Sequence, residues 1–177
     1  MLKEKTFIQD SFVDSKEWLE VKIIADKFSK FLSDPQTRKK ISGLHVPGAG
    51  SQEIESVITP YAEMLGFSSQ KKGLFEKYAV SKLRPDYYIS IGDTGIIIEV
   101  ERGQTSQNNA ALKDMWKAHI CDKAHYLFLF VPFELRQNKK NTKKIGGRPF
   151  NETINRLTPF FNKENYTNVR GLVIFGY

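Results

Sequence analysis

The chain has few of the residues that build disulfides, zinc clusters or membrane spans. Cys121 is its single cysteine, so no disulfide can form within the chain and no multi-cysteine zinc site can be built. The largest apolar stretch, residues 126–133, is far shorter than the about 20 residues that cross a bilayer. No apolar run follows the lysines of the first ten residues, so we expect no secretory signal and no membrane partner. These absences indicate a cytoplasmic protein.

Positive charge is the main bias in composition. The chain of 177 residues has 27 Lys and Arg against 20 Asp and Glu, a net charge of +7. A basic chain favours polyanionic partners, chiefly nucleic acid or an anionic membrane. No long basic amphipathic helix of the membrane-surface kind is evident. Nucleic acid is therefore the favoured partner, although many basic proteins bind neither.

The apolar pattern predicts one α/β domain over residues 1–177, with a mixed sheet. The predicted helices cover about residues 15–33, 51–65, 108–121 and 151–161, and Asp14 is a candidate cap for the first. The predicted strands cover about residues 74–80, 87–91, 96–101, 124–131 and 169–177. The face predicted to lie inward on the third helix includes Trp116. No repeat and no interdomain linker is evident in the sequence.

Three acidic residues lie on two strands that a Gly-Asp-Thr-Gly turn joins. Side chains alternate along a strand, so Glu99 and Glu101 point to the same face. A turn centred between residues 93 and 94 places Asp86 opposite Glu101, and opposed residues of an antiparallel pair share a face. All three carboxylates then converge. A register slip of one residue would separate Asp86 from the other two.

Converging carboxylates in a sheet destabilise it, through repulsion and through loss of hydration. A divalent cation relieves both costs, and carboxylate oxygens suit Mg²⁺ or Mn²⁺. The backbone carbonyl of Val100 is a further candidate ligand. The alternative is an edge hairpin with solvated acids. The Ile run at residues 96–98 disfavours it, because apolar residues on both faces indicate a central strand.

Pro85-Asp86, followed by the hairpin and Glu99-Val100-Glu101, resembles the PD-(D/E)XK nuclease superfamily. In that family a Pro-Asp pair is followed by an acid-X-lysine tripeptide on the next strand. The resemblance implies a restriction endonuclease-like α-β-β-β-α-β core over about residues 51–131. Helix 15–33 and the helix and strand of residues 150–177 would be additions. The resemblance also implies a function, that of a Mg²⁺-dependent DNA endonuclease of restriction, resolvase or mobile-element type. Mn²⁺ is an alternative ion.

One position departs from the family pattern, because Glu101 stands where lysine is usual. Some restriction enzymes of the superfamily also carry Glu there, which keeps activity open. A lysine would orient the attacking water, whereas Glu101 implies a further metal ligand or a general base, and favours a second metal. An alternative is a catalytically inactive nucleic-acid-binding module on a nuclease scaffold. A third hypothesis is an interaction protein whose acids serve only a partner or the fold.

The resemblance implies roles for the remaining site residues. Asp86, Glu99 and the Val100 carbonyl would hold the metal, and Glu101 would complete its shell or accept the proton of the water. The family often adds a glutamate from the preceding helix. Glu55 is the best match for that catalytic residue, and Glu53 is the alternative; either is more often a solvated helix residue.

Lysines supply the candidate contacts to DNA. Lys113 and Lys117 lie four apart on one face of the third helix, where a solvated face is the commoner explanation. A polar loop at residues 137–148 carries a better set for phosphate contacts: Lys139, Lys140, Lys143 and Lys144. Cleavage of both strands would suit a homodimer, although no interface is evident in the sequence.

Overall fold

The structure is a computed structural model that describes residues 3–48, 50–70, 72–78, 83–102, 109–136 and 145–177. A mixed six-stranded sheet lies between helices, which confirms the predicted α/β class. The helices are α1 (Lys16–Ser33), α2 (Pro35–Leu44), α3 (Ser51–Met64), α4 (Ala110–Ile120) and α5 (Pro149–Leu157). The strands are β1 (Lys3–Ile8), β2 (Ser68–Ser69), β3 (Tyr87–Ile91), β4 (Thr94–Val100), β5 (Tyr126–Val131), β6 (Leu135–Arg136), β7 (Ile145–Gly147) and β8 (Gly171–Gly176). Among the helices described, none has the length and apolar character needed to span a bilayer.

The sheet order is β1-β8-β5-β4-β3-β2, and β6 and β7 form a separate short hairpin. Its three central strands, β8, β5 and β4, are parallel, whereas β1 and β3 run antiparallel to their neighbours. The carboxyl ends of the central strands therefore lie at the same edge of the sheet. Ligands of open α/β sheets bind beyond this edge.

Successive residues of β4 face two separate apolar layers. Ile96 and Ile98 pack in the layer that contains α1 and α3, and Ile97 packs in the layer that contains α4 and α5. The same alternation continues along the strand, so Glu99 and Glu101 point toward the α4 side. The sheet is therefore the middle of three layers, and it delivers both acids to one of them.

The first two helices adjoin at Asp34. Ser15, rather than the predicted Asp14, caps α1, and its hydroxyl accepts a hydrogen bond from the backbone N–H of Trp18 at 3.1 Å. Asp34 ends α1 and caps α2, because its Oδ2 accepts from the N–H of Thr37 at 2.8 Å. The sequence prediction lacked α2. The Pro35 that stops one helix occupies the first turn of the next, where a missing N–H costs nothing.

Two edges of the sheet differ from the prediction. The predicted strand at residues 74–80 is wrong, because residues 72–77 form turns and Gly73 has a φ of +83°; residues 79 and 80 lie outside the described part. The short β2 pairs with β3 instead. Leu74 and Phe75 are buried in the α4 layer without being in a strand. At the opposite edge, β1 was missed because four of its six residues are polar and exposed.

The remaining elements follow the predicted positions closely. Helix α4 and strands β5 and β8 lie within the predicted ranges, and α5 begins two residues early and continues into a short 3₁₀ turn, Thr158–Phe161. The predicted inward position of Trp116 is wrong, since its side chain is 49% exposed. The buried stripe of α4 runs instead through Ala111, Met115 and Ala118, with one polar member, Asp114.

Candidate functional site

The β3–β4 hairpin brings Asp86 to the acids of β4 in a register shifted from the prediction. Tyr87 pairs with Ile98, and the turn is Gly92-Asp93, where Gly92 has a φ of +52°. The predicted centre of the turn lies one residue after the observed centre. Pairing of Asp86 with Glu101 is therefore wrong, and continuing the ladder places Asp86 opposite Glu99. A shift of two partners preserves the face, so Asp86 still lies on the same face of the sheet as Glu99 and Glu101.

A hydrogen bond fixes Asp86 at the mouth of the hairpin. Its Oδ2 accepts from the backbone N–H of Val100 at 2.8 Å. Burial raises the pKa of Asp86, and the bond to Val100 and the charge of Lys117 partly oppose that shift. The residue after Pro85 thus anchors its carboxylate to the strand that carries the other acids.

Glu99 is buried in the centre of the sheet, with only 4% of its surface exposed. It pairs with Leu129 of β5 in the parallel ladder. The Nζ of Lys117, from α4, donates to its Oε1 at 2.6 Å. Burial first, and the neighbouring charge of Asp114 second, raise the pKa of Glu99 well above the usual range despite this ion pair.

Asp114 is a fourth carboxylate of the site that the sequence reasoning missed. It lies on α4, and its Oδ1 is 3.7 Å from the Nζ of Lys117, one helical turn along. Its buried Oδ2 has no hydrogen-bond partner. The sequence signal that could have identified Asp114 is its position between Ala111 and Met115, in the helix stripe that packs on the sheet. A charged residue in a buried stripe is costly and marks a site or a buried pair.

Burial raises the pKa values of both Glu101 and Asp114. Burial, followed by the charge of Asp114 and a hydrogen bond to it, raises the pKa of Glu101 to about 8. Burial also raises the pKa of Asp114 to about 6, and Lys117 opposes that shift. The two carboxyl groups therefore interact electrostatically, and Glu101 titrates near neutrality.

Lys117 lies inside this acidic cluster, which we define as Asp86, Glu99, Glu101 and Asp114. Burial lowers the pKa of Lys117, but the charges of Glu99 and Asp114 outweigh burial and the net shift is upward. The lysine therefore remains a cation. Lys113 is exposed on the outer side of α4. The four predicted lysines of the loop, Lys139, Lys140, Lys143 and Lys144, lie outside the described residues.

Glu55 lies on α3, near the acidic cluster. Burial raises its pKa, a hydrogen bond from Ser51 opposes the shift, and the charge of Asp86 adds to it. The last effect places Glu55 within electrostatic range of Asp86. Glu53, the alternative, lies in the first turn of α3.

The acidic cluster offers the type of donor atom that a hard divalent cation binds. Its donor atoms are carboxylate oxygens, and the Asp114 Oδ2 is buried without a partner. Within the described ranges, however, no group of three or more His, Cys, Asp or Glu side chains is positioned to hold a metal ion. Lys117 supplies positive charge beside Glu99, and the raised pKa of Glu101 favours its uncharged form.

No protein-family model matches the chain, and no curated protein sequence matches it. A functional assignment therefore rests on the residues and geometry of the acidic cluster.

Proposed function

We propose that the chain is a metal-dependent DNA endonuclease that hydrolyses phosphodiester bonds. The observation that carries the proposal is the convergence of Asp86, Glu99, Glu101 and Asp114 at the carboxyl end of a buried central strand. Burying several carboxylates together costs several kcal/mol unless a cation compensates them. Groups kept in such a state with raised pKa values are concentrated at functional sites.

The order of elements supports a restriction endonuclease-like core. From Ser51 to Val131 the chain forms α3, β2, β3, β4, α4 and β5, which is the α-β-β-β-α-β order that the resemblance implies. Asp86 directly precedes β3, Glu99 lies in β4 and Glu101 directly follows β4, which are the positions of the family motif. Asp114 of the cluster and Lys117 beside it come from the helix that follows, α4, so the proposed centre combines the hairpin with that helix.

In this proposal Asp86, Glu99 and the Val100 carbonyl bind the cation, and Asp114 offers a further oxygen. A bound divalent cation supplies charge neutralisation at the phosphate and acidifies its water. Glu101, with a pKa of about 8, is suited to take up or release a proton at neutral pH.

Lys117 supplies the positive charge that a lysine in the position of Glu101 would bring. Its ammonium is 2.6 Å from the Glu99 carboxylate, so a cation from α4 neutralises the acid of β4. Glu55, on α3, would extend the site by a second acid close to Asp86. The proposed chemistry therefore does not depend on a lysine at position 101.

A binding module without activity is the second candidate, and one observation favours it. Lys117 already neutralises Glu99, and the acids among the described residues are not arranged as a ligand set. A chain that lost its metal would be stabilised by such a pair. Such a module would bind nucleic acid and cleave none.

The test is cleavage of several DNA substrates with Mg²⁺, Mn²⁺ or EDTA. Supercoiled plasmid, linear duplex, single strands and a four-way junction are incubated with the wild type, with Glu99→Gln and with Asp93→Asn. Asp93 is exposed in the hairpin turn, so its variant removes one acid outside the cluster. We expect metal-dependent cleavage that Glu99→Gln lowers at least about a hundredfold and that Asp93→Asn retains. DNA binding without cleavage by any form would favour the binding module.

A further inference from the structure

A cavity of about 550 Å³ opens at the same edge of the sheet as the acidic cluster. Arg38, Lys39 and Ser42 of α2 line one side of it, and Phe133 and Tyr177, which follow β5 and β8, line the other. Its volume lies within the about 300–1,000 Å³ of pockets that bind small molecules. The cavity has room for a nucleotide.

Hydrogen bonds connect the wall of this cavity to the acidic cluster. The Tyr177 hydroxyl donates to the backbone carbonyl of Glu101 at 2.7 Å. His45 packs edge-on against the Tyr177 ring, with centroids 5.7 Å apart, and its Nε2 is 2.8 Å from the carbonyl of Glu134. The ends of β4, β5 and β8 lie at one edge of the sheet, where neighbouring strands are about 4.8 Å apart. At this edge the cavity lies on the α1 and α2 side of the sheet, and the acids of the cluster point to the α4 side.

The lining combines cationic and aromatic side chains. Arg38 and Lys39 are exposed, and neither forms an ion pair with any described residue. Phe133 already carries the Lys3 amine over its ring, 4.3 Å from the centroid, which adds positive charge beside the cavity. Glu134 also lines it. Cations in an aromatic-walled cavity suit a phosphate group attached to a planar base.

We propose that this cavity binds one phosphate-bearing nucleotide of the nucleic-acid strand that the acidic cluster acts on. Arg38 and Lys39 hold the phosphate, and Tyr177 provides a wall for the base or sugar. The identity of the strand as the substrate rests on the proposed function. The physical role is to attract a polyanion to an edge that four carboxylates would otherwise repel.

The first test compares two exposed cations of α2. Binding of labelled short duplexes and single strands is measured by fluorescence anisotropy in EDTA, so that no cleavage occurs. Arg38→Gln removes a cation of the cavity, and Lys40→Gln removes an equally exposed cation that does not line it. We expect Arg38→Gln to weaken binding at least about fivefold and to reduce its salt dependence, and Lys40→Gln to change binding less than about twofold. Equal effects of the two variants would overturn the proposal.

A second variant fills the cavity without changing charge. Ser42 is exposed in α2 and lines the cavity, so Ser42→Trp is expected to fold, which a thermal melt checks, and to weaken binding at least as much as Arg38→Gln. Competition with inorganic phosphate and with a mononucleotide identifies the ligand. Displacement by the nucleotide at lower concentration supports the proposal, and equal displacement by both reduces the site to a phosphate site and overturns the nucleotide assignment.

The outcome separates this inference from the proposed function. Selective loss of binding in Arg38→Gln, without cleavage by the wild type, would support the cavity as a nucleotide site and refute the proposed nuclease activity. Cleavage by the wild type with unchanged binding in both cavity variants would support the nuclease activity and refute the cavity as a nucleotide site. A wild type that binds no nucleic acid, even at low salt, would overturn the cavity assignment.

Discussion

Lys117→Met should destabilise the protein in a pH-dependent way, because it removes the cation that compensates the acidic cluster. The Lys117 and Glu99 side chains are 13% and 5% exposed. Removing one partner of a buried ion pair costs about 3–5 kcal/mol. Partial exposure, and protons that the acids can take up, lower our expectation to about 2–3 kcal/mol near pH 8. For a chain of this size, that is a fall in Tm of about 5–10 °C.

The pH dependence identifies the cause. Loss of Lys117 raises the pKa values of the acids further, so the folded state binds more protons than the unfolded chain and stability falls more steeply as pH rises. Near pH 5 Glu101 and Asp114, with pKa values of about 8 and 6, are protonated, and the loss should shrink to about 1 kcal/mol.

The assay is a set of thermal melts of the wild type, Lys117→Met and Lys113→Met across this pH range. Lys113 is one turn away on α4 and exposed, so its variant should change stability by less than about 0.5 kcal/mol at every pH. If the two variants melted together near pH 8, Lys117 would not compensate the acids and the described ion pair would be refuted.

Three further outcomes are expected. Wild-type stability should fall from about pH 5 to 8, because Glu101 and Asp114, with pKa values of about 8 and 6, hold protons that the unfolded chain releases; a flat profile in urea titrations would contradict this. Binding of Mg²⁺ near neutral pH should release protons, measured by calorimetry in two buffers, and Asp114→Asn should reduce that release; binding without proton release would be the contrary result. Gly95→Ala should cost about 2 kcal/mol or more, since its Cβ would lie 2.5 Å from the carbonyl oxygen of Ile89. Gly43→Ala, which has open space, should not destabilise; similar denaturant midpoints for both variants would refute the packing described.

Sequence patterns predicted the hairpin because its signals are local. Alternation along the strand placed Glu99 and Glu101 on one face, and the Ile run before them predicted a central strand that the structure confirms. The exact turn was not predictable, since both glycines that flank Asp93 and Thr94 suit a turn. The resulting error of two partners left the face of Asp86 unchanged because the side-chain period of a strand is also two.

The missed elements lack the signals on which such predictions depend. The exposed edge strand β1 has too few apolar residues to show alternation. The start of α2 was missed because the proline in its first turn was interpreted only as the end of α1. Leu74 and Phe75 suggested a strand because apolar residues in a buried turn look the same in sequence as those in a strand.

Some residues of the candidate site are close together along the chain, and others come together only through packing. Asp86 and the two glutamates share one hairpin, so a pairing argument could bring them together. Asp114 and Lys117 reach them only through the packing of α4 on the sheet, and spacing along the chain does not report that contact. Lys117 therefore looked like a surface contact for DNA, whereas its ammonium lies against Glu99.

The most direct measurement for the acidic cluster as a nuclease centre is single-turnover cleavage of duplex DNA by the wild type, Asp86→Asn and Asp93→Asn. Both variants remove one acid from the same hairpin. Only Asp86 contacts the strand of Glu99, through the Val100 N–H. The account predicts Mg²⁺-dependent cleavage by the wild type and Asp93→Asn, and a loss of at least about a hundredfold in Asp86→Asn. Cleavage that persists in Asp86→Asn, or in EDTA, would contradict it.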